Sequence, residues 1–218
     1  MPALFSYRRE LSFSKTNLCI RRNGPNVSKK RGSLMRFLEG ENVYLRPFRK
    51  EDFEMVFESV QDKEIRRLTG TQTFFTMEKI EKAYESFALD KNRMDLVIVL
   101  KETDEPIGDL ALLDMDLLNR NASVRIALND EKQRGRGLGT EAMKLILEHG
   151  FHNLGLHRIG LNVYHFNERA KRSYEKLGFK QEGVIRGDLF YEGEFHDNIL
   201  MGVLAEEFWE AIKKRGMS

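Results

Sequence analysis

Seven consecutive residues, Arg134-Gly135-Arg136-Gly137-Leu138-Gly139-Thr140, have the types and spacing to hold an anion. They lie between an alternating apolar run, Ser123 to Leu128, and a helical pattern of Leu138, Ala142, Leu145, Ile146 and Phe151. A glycine-rich turn that feeds a helix leaves several backbone N–H groups without acceptors at the positive end of the helix dipole, where phosphate binds. Gly135, Gly137 and Gly139 let the backbone approach an anion closely. Arg134 and Arg136 add formal charge. The same residues also fit a surface turn with two solvated arginines, so a second signal is needed.

That signal lies downstream. Leu161-Asn162-Val163-Tyr164 ends an alternating strand, and Asn167-Glu168-Arg169-Ala170-Lys171-Arg172-Ser173-Tyr174-Glu175-Lys176-Leu177-Gly178-Phe179 follows. Asn167 is a good N-cap, Ala170, Tyr174 and Leu177 recur at helical spacing, and Gly178 is a C-terminal stop. Read as R-x-x-G-x-G and N-x-x-A-x-x-x-Y-x-K-x-G-F, the two segments resemble the acetyl-CoA signatures of the GNAT N-acetyltransferases. They stand in the expected order with a strand between them. The resemblance covers roughly Met35 to Leu204 and is nearest to the RimJ/RimL and bacterial spermidine acetyltransferase branch. Glu182-Gly183-Val184-Ile185-Arg186, Gly193 and Asp197 are similar to that branch too.

The resemblance implies an α/β fold of the GNAT type, a mixed and mostly antiparallel central sheet with helices on both faces. It also implies acetyl-CoA as cosubstrate, no metal, and two parallel strands that splay so that the pantetheine arm lies in the gap. Those strands would be Ala122 to Leu128 and His157 to Tyr164, with Ile126, Ala127 and Leu128 as backbone partners. The pyrophosphate would sit on residues 134–140, Asn167 would hold a pantetheine amide, and Arg172 would meet the CoA phosphates. Each assignment has a plainer counterpart: core for residues 126–128, N-cap for Asn167, a solvated helix face for Arg169, Lys171 and Arg172.

Acetyl transfer to an amine needs a held thioester, a neutral amine, a stabilised oxyanion and a proton for the departing thiolate. A phenol, with a reference pKa near ~10, is protonated at neutral pH and can supply that proton. Tyr174 is the residue placed to do so, two helical turns beyond Asn167. Its alternative is a core aromatic. The base is left open among Asp109, Asp114 and Asp116, on or just after central strands, and Glu168. Acceptor choice is expected from residues 62–93 and from the 185–197 hairpin, whose Phe74-Phe75 and Phe190-Tyr191 pairs would wall a pocket or simply pack.

The elements that must position these residues follow from the pattern. A strand is predicted over Val43 to Pro47, helices over Glu51 to Val60 and Thr76 to Leu89, and an antiparallel meander over Leu96 to Lys101, Ile107 to Asp114 and Ala122 to Leu128. The glycine turn then feeds a helix to about Leu154. A strand (His157 to Tyr164), a helix (Glu168 to Leu177), two strands (Phe179 to Ile185, Glu194 to Val203) and a helix from Glu206 complete the order.

Bulk properties narrow the class. At 218 residues and 41% hydrophobic content the chain can bury one substantial core. No apolar run approaches the ~18 residues of a membrane helix. The lone Cys19 excludes an internal disulfide, which fits a cytoplasmic setting. The five histidines form no metal pattern with it, and His149 and His152, one turn apart, lack a third ligand. Residues 1–34 carry eight basic side chains against Glu10, +7, so with a net charge of +2 the remainder, the acetyltransferase domain 35–218, carries −5. The first 34 residues read as a disordered basic extension. They fit a basic arm, an organelle transit segment, or an upstream stretch translated in error before a true start at Met35.

The function expected is transfer of acetyl from acetyl-CoA to a primary amine, of a polyamine or of a protein N-terminus. A non-catalytic acyl-CoA sensor on the same fold is the alternative, against which Tyr174 speaks. The acidic domain tolerates a cationic substrate and argues against a nucleic-acid partner. No membrane partner is expected, and a homodimer is left open.

Overall fold

The computed structural model describes residues 36–129 and 133–216. The basic extension, residues 1–34, lies outside the described residues. Among the described residues eight strands form one open sheet: β1 (Leu38–Glu39), β2 (Val43–Pro47), β3 (Met94–Leu100), β4 (Glu105–Asp116), β5 (Asn121–Leu128), β6 (Arg158–Tyr164), β7 (Lys180–Tyr191) and β8 (Glu194–Leu204). Their spatial order is β1-β2-β3-β4-β5-β6-β8-β7. Every neighbouring pair is antiparallel except β5–β6. The predicted meander is therefore present as β3-β4-β5.

Among the described residues six α-helices accompany the sheet: α1 (Phe53–Gln61), α2 (Lys63–Thr69), α3 (Met77–Phe87), α4 (Leu138–Glu148), α5 (Glu168–Glu175) and α6 (Ala205–Lys214). None of the described helices is long and apolar enough to cross a membrane. The sheet is covered on both faces, which explains why β3 reads as an unbroken apolar run rather than an alternating one. Leu96, Ile98 and Leu100 point to the larger core, to which α4 contributes Ala142, Met143, Ile146 and Leu147 and α6 contributes Phe208 and Ile212. Val97, Val99 and Tyr44 point the other way, under Phe48 and Met55. Truncating a fully buried residue such as Ile146 to Ala would cost about 2–5 kcal/mol.

The second face also holds charge. Arg46 donates two hydrogen bonds to Asp52, at 2.6 and 2.7 Å, and Asp52 accepts a third from the Arg49 backbone at 2.7 Å. Both side chains are buried. This pair pins the single 3-10 turn before α1 (Lys50–Asp52) to β2.

The differences from the sequence reading are local. Helix α2 was not predicted, although its punctuation is in the sequence: Asp62 accepts the Ile65 N–H at 2.8 Å, and Gly70 ends the helix at φ +66°. At seven residues it is too short to show apolar periodicity. Strand β1 was also missed. Strand β7 runs on to Tyr191 through two register shifts, well beyond the expected Ile185. The helix expected to reach Leu154 is regular only to Glu148 and finishes in a π-helical turn, His149–Asn153.

Candidate active site

The decisive geometry is the failure of β5 and β6 to stay together. They pair in parallel at Asn121↔Arg158, Ala122↔Ile159 and Ser123↔Gly160, and then part. β5 continues to Leu128 against β4, and β6 to Tyr164 against β8, so their facing backbone edges flank a gap. A cavity of about 760 Å³ occupies it. Along β5, Val124, Ile126 and Leu128 turn toward α4 while Ser123, Arg125 and Ala127 turn the other way, and all six line the cavity. The cavity therefore passes through the sheet. Its far side is closed by Ile65, Leu68 and Thr69 of α2, and Tyr164 and Asn198 share the wall.

At the C-terminal end of β5 the glycine turn enters α4. Gly137 is the N-cap at φ +83°, and Gly135 stands at φ +79°. A Cβ at either would meet no atom within 4 Å, so both leave open space above the helix end. The first helical bond is Glu141 N–H to Gly137 O, 3.0 Å, and among the described residues no side chain caps the helix, so the Leu138, Gly139 and Thr140 N–H groups have no acceptor there and could meet an anion. Glu141 does not fill that site. Its carboxylate is turned to β2, accepting from the Asn42 N–H (2.7 Å), Asn42 Nδ2 (2.9 Å) and the Val43 N–H (3.2 Å). Gly139 serves differently from the other two glycines. A Cβ there would lie 3.2 Å from Leu128 Cδ1, so its role is close packing of α4 on β5. Leu138 is buried beside it.

The two arginines of the turn part company. Arg136 is exposed and donates to Gln133 Oε1 at 2.5 Å. Arg134 lines the cavity, but its guanidinium lies 2.5 Å from Glu64 Oε2 on α2. Its charge is already partnered, a relation that the sequence spacing of 70 residues could not reveal.

Helix α5 supplies the next wall. Asn167 is its N-cap, accepting the Ala170 N–H at 3.2 Å through Oδ1, and it also lines the cavity, so its amide nitrogen remains available there. Arg169, Arg172 and Lys176 line the same wall; Arg172 is 3.8 Å from Glu168. Tyr174 packs its ring against Phe179 with centroids 5.9 Å apart. Among the described residues its hydroxyl has no hydrogen-bond partner, and burial pushes its pKa up to about 12. It lines the cavity wall while its ring packs against the main core.

The four carboxylates considered as bases fall in different places. Asp109 is buried under the sheet, 2.5 Å from Arg125 Nη1. Asp116 caps the turn that follows it, accepting from the Leu118 and Asn119 N–H groups and Asn119 Nδ2. Glu168 is exposed on α5. Asp114 lines the cavity. Of the two roles open to the aromatic pairs, walling the pocket or simply packing, they do not take the first. Phe74 is 69% and Phe190 51% exposed, and Phe190 stacks on Phe195 at 4.9 Å. The apolar wall comes instead from α2, the helix the sequence reading missed. Among the described residues no three His, Cys, Asp or Glu side chains gather as a metal site, and His149 packs edge-on against Phe37.

The chain resembles known acetyltransferases in both sequence and fold. The profile of the acetyltransferase (GNAT) domain matches residues 42–180. The chain belongs to the GNAT acetyltransferase family. It is 28% identical over 178 residues to the spermidine N(1)-acetyltransferase of Escherichia coli K12, covering 81% of this chain and 94% of that protein. An uncharacterized SPbeta prophage-derived N-acetyltransferase of Bacillus subtilis, YokL, is 31% identical over 170 residues, 78% of this chain and 93% of that one. Among solved structures, a spermidine N-acetyltransferase from Vibrio cholerae, in complex with CoA and spermine, superposes with a TM-score of 0.72 at 22% identity, over 77% of this chain and 98% of that one. That likeness is one of fold. As a GNAT protein the chain is an acetyl-CoA-dependent N-acetyltransferase.

Proposed function

We propose that the chain acetylates a primary amine of a polyamine, with acetyl-CoA held on the α4–α5 side of the gap and the amine entering from the α2 side. The observation that carries this reading is the continuous cavity that crosses the sheet with Tyr174 on its wall. The pyrophosphate is assigned to the free N–H groups at residues 138–140 above Gly135 and Gly137, with Arg172 and its neighbours facing the remaining phosphate. The residues fit such a group: two open positive-φ glycines, unpaired amides and cationic side chains converge. The pantetheine arm is assigned to the free edge at Ile126, Ala127 and Leu128, and its amide to Asn167.

In this arrangement the amine nitrogen attacks the thioester carbon, the C–S bond breaks, and the Tyr174 hydroxyl gives its proton to the leaving sulfur. The raised pKa of Tyr174 keeps that proton in place throughout the neutral range. A polyamine acceptor is supported by the −5 charge of residues 35–218 and by curated relatives named spermidine N(1)-acetyltransferase that match along most of their length. The test is to incubate the purified protein with acetyl-CoA, polyamines and peptides bearing free N-termini, reading products by mass and released thiol against hydrolysis. Monoacetylated spermidine is expected. Acetylated peptide without acetylated polyamine would move the acceptor to the protein class, and tight acetyl-CoA binding with no acetylated amine would leave a sensor.

A further inference from the structure

Strand β4 contains an anomaly that the reaction explains. Leu110 and Leu112 are fully buried toward α4, so alternation would send Asp114 into the same apolar face. It does not go there. The register with β5 shifts between Leu113↔Ser123 and Asp116↔Asn121, so Asp114 and Met115 together oppose Ala122 alone. Met115 takes the place against the apolar core, and Asp114 is turned out with φ +50°. Among the described residues the other non-glycine positive φ values, at Asp104, Arg120 and Glu192, fall in turns; Asp114 alone is inside a strand. A bulge of this kind re-aims a side chain, and such strain gathers at functional sites.

The place it is aimed at is the cavity. The charged residues otherwise lining that wall are Arg125, Arg134, Arg169, Arg172 and Lys176, all cations, with no histidine and no second carboxylate among the described residues. Arg125 and Arg134 are turned to Asp109 and Glu64, and Asp114 takes part in no ion pair or hydrogen bond among the described residues. An ammonium with a pKa near ~10 must lose a proton before it can attack.

Resting on the acyl-transfer reading above, we propose that Asp114 is the general base that takes this proton, directly or through one water. The balance is simple. The ammonium gives one proton to the Asp114 carboxylate, and the neutral amine forms the C–N bond. As the C–S bond breaks, Tyr174 protonates the sulfur, and the second nitrogen proton restores the Tyr174 phenol. Asp114 then releases its proton to solvent, leaving the amide, the thiol and one proton as products.

The experiment is Asp114→Asn in the full chain, with acetyl-CoA and spermidine, or with whichever primary amine the wild type acetylates if spermidine is not one. Asparagine keeps the shape and tolerates positive φ, so the melting temperature and acetyl-CoA affinity should hold. The expected result is a fall in kcat of roughly 10²–10⁴ with the amine KM within about threefold, and partial recovery in Asp114→Glu. Raising the pH should restore the Asn variant about tenfold per unit toward pH ~10, where the amine sheds its own proton. Asp116→Asn, which loses only a turn cap, should leave kcat unchanged. An unchanged kcat in Asp114→Asn, or a rise in amine KM alone, overturns the base role while leaving the polyamine reading intact. A wild type that acetylates peptides and not spermidine overturns the polyamine reading while Asp114 is still tested on the peptide amine; one that acetylates no primary amine overturns both.

Discussion

The two halves of the cleft are built by different means. The half proposed for the cofactor, from the end of β5 through α4 to α5, offers backbone: among the described residues, N–H groups without acceptors, an unpaired strand edge and glycines that keep the approach open. The half proposed for the acceptor, made of α2, the β4 bulge and the facing residues of β5, offers side chains placed by distant neighbours, such as Arg134 on Glu64 and Arg125 on Asp109. Backbone recognition is written in short consecutive motifs. Side-chain recognition depends on which elements meet, so it is spread over the sequence and free to change its acceptor while the cofactor half stays the same.

The sharpest way to break this contrast lies at Tyr174, where the halves meet. Tyr174→Phe keeps the ring on Phe179 and removes the proton. Turnover at saturating acetyl-CoA should fall by roughly 10²–10⁴, with cofactor affinity by calorimetry nearly unchanged. A core tyrosine would lose about 1 kcal/mol of stability and keep its turnover. The pH profile carries the same information. Because the folded pKa is raised from about 10 to about 12, the phenol's stabilising contribution is complete below pH 10 and is lost as pH climbs toward 12. Turnover should therefore show no downturn from this group below about pH 10. A downturn near pH 8 would assign the acid to another residue.

Next in size is the buried pair that holds the turn before α1 to β2. Asp52→Ala leaves the Arg46 guanidinium buried without its bidentate partner, and the expected loss is about 3–5 kcal/mol in urea unfolding at constant slope. Loss of less than 1 kcal/mol would mean that water reaches Arg46 once Asp52 is gone. In the cofactor half, Gly137→Val puts a β-branched residue at φ +83° and its side chain into the space assigned to the phosphates. Acetyl-CoA affinity should drop at least about tenfold, against two- to threefold for the exposed Arg136→Ala. Equal effects would move the pyrophosphate elsewhere. The smallest change is expected at Arg134→Ala. With its charge on Glu64 the variant should lower the melting temperature and keep acetyl-CoA affinity within about twofold. A tenfold loss would show that Arg134 leaves α2 for the phosphate, joining the halves rather than separating them.

Most of the elements were legible because their signals are local. The meander, the glycine turn, Asn167 as an N-cap and the strand order around them each rest on a few adjacent residues. Helix α2 was overlooked because seven residues hold too little periodicity, though Asp62 and Gly70 marked both its ends. For Phe74-Phe75 and Phe190-Tyr191 hydrophobicity alone leaves pocket wall and plain packing equally open, and neither pair lines the cavity.

The sequence by itself marked the local parts of the proposed cofactor half: glycines at 135 and 137 ahead of a helix, and Asn167 as the N-cap of a second helix with Tyr174 two turns on. Only the tertiary structure decided which of four carboxylates faces the cavity, that Gly139 serves packing, and that Arg134 belongs to α2. A strand's alternation predicts the face of each residue only while its register holds. The two-against-one bulge opposite Ala122 reverses the sides of Asp114 and Met115, and that reversal is set by how β4 closes on β5, not by any residue type within the strand.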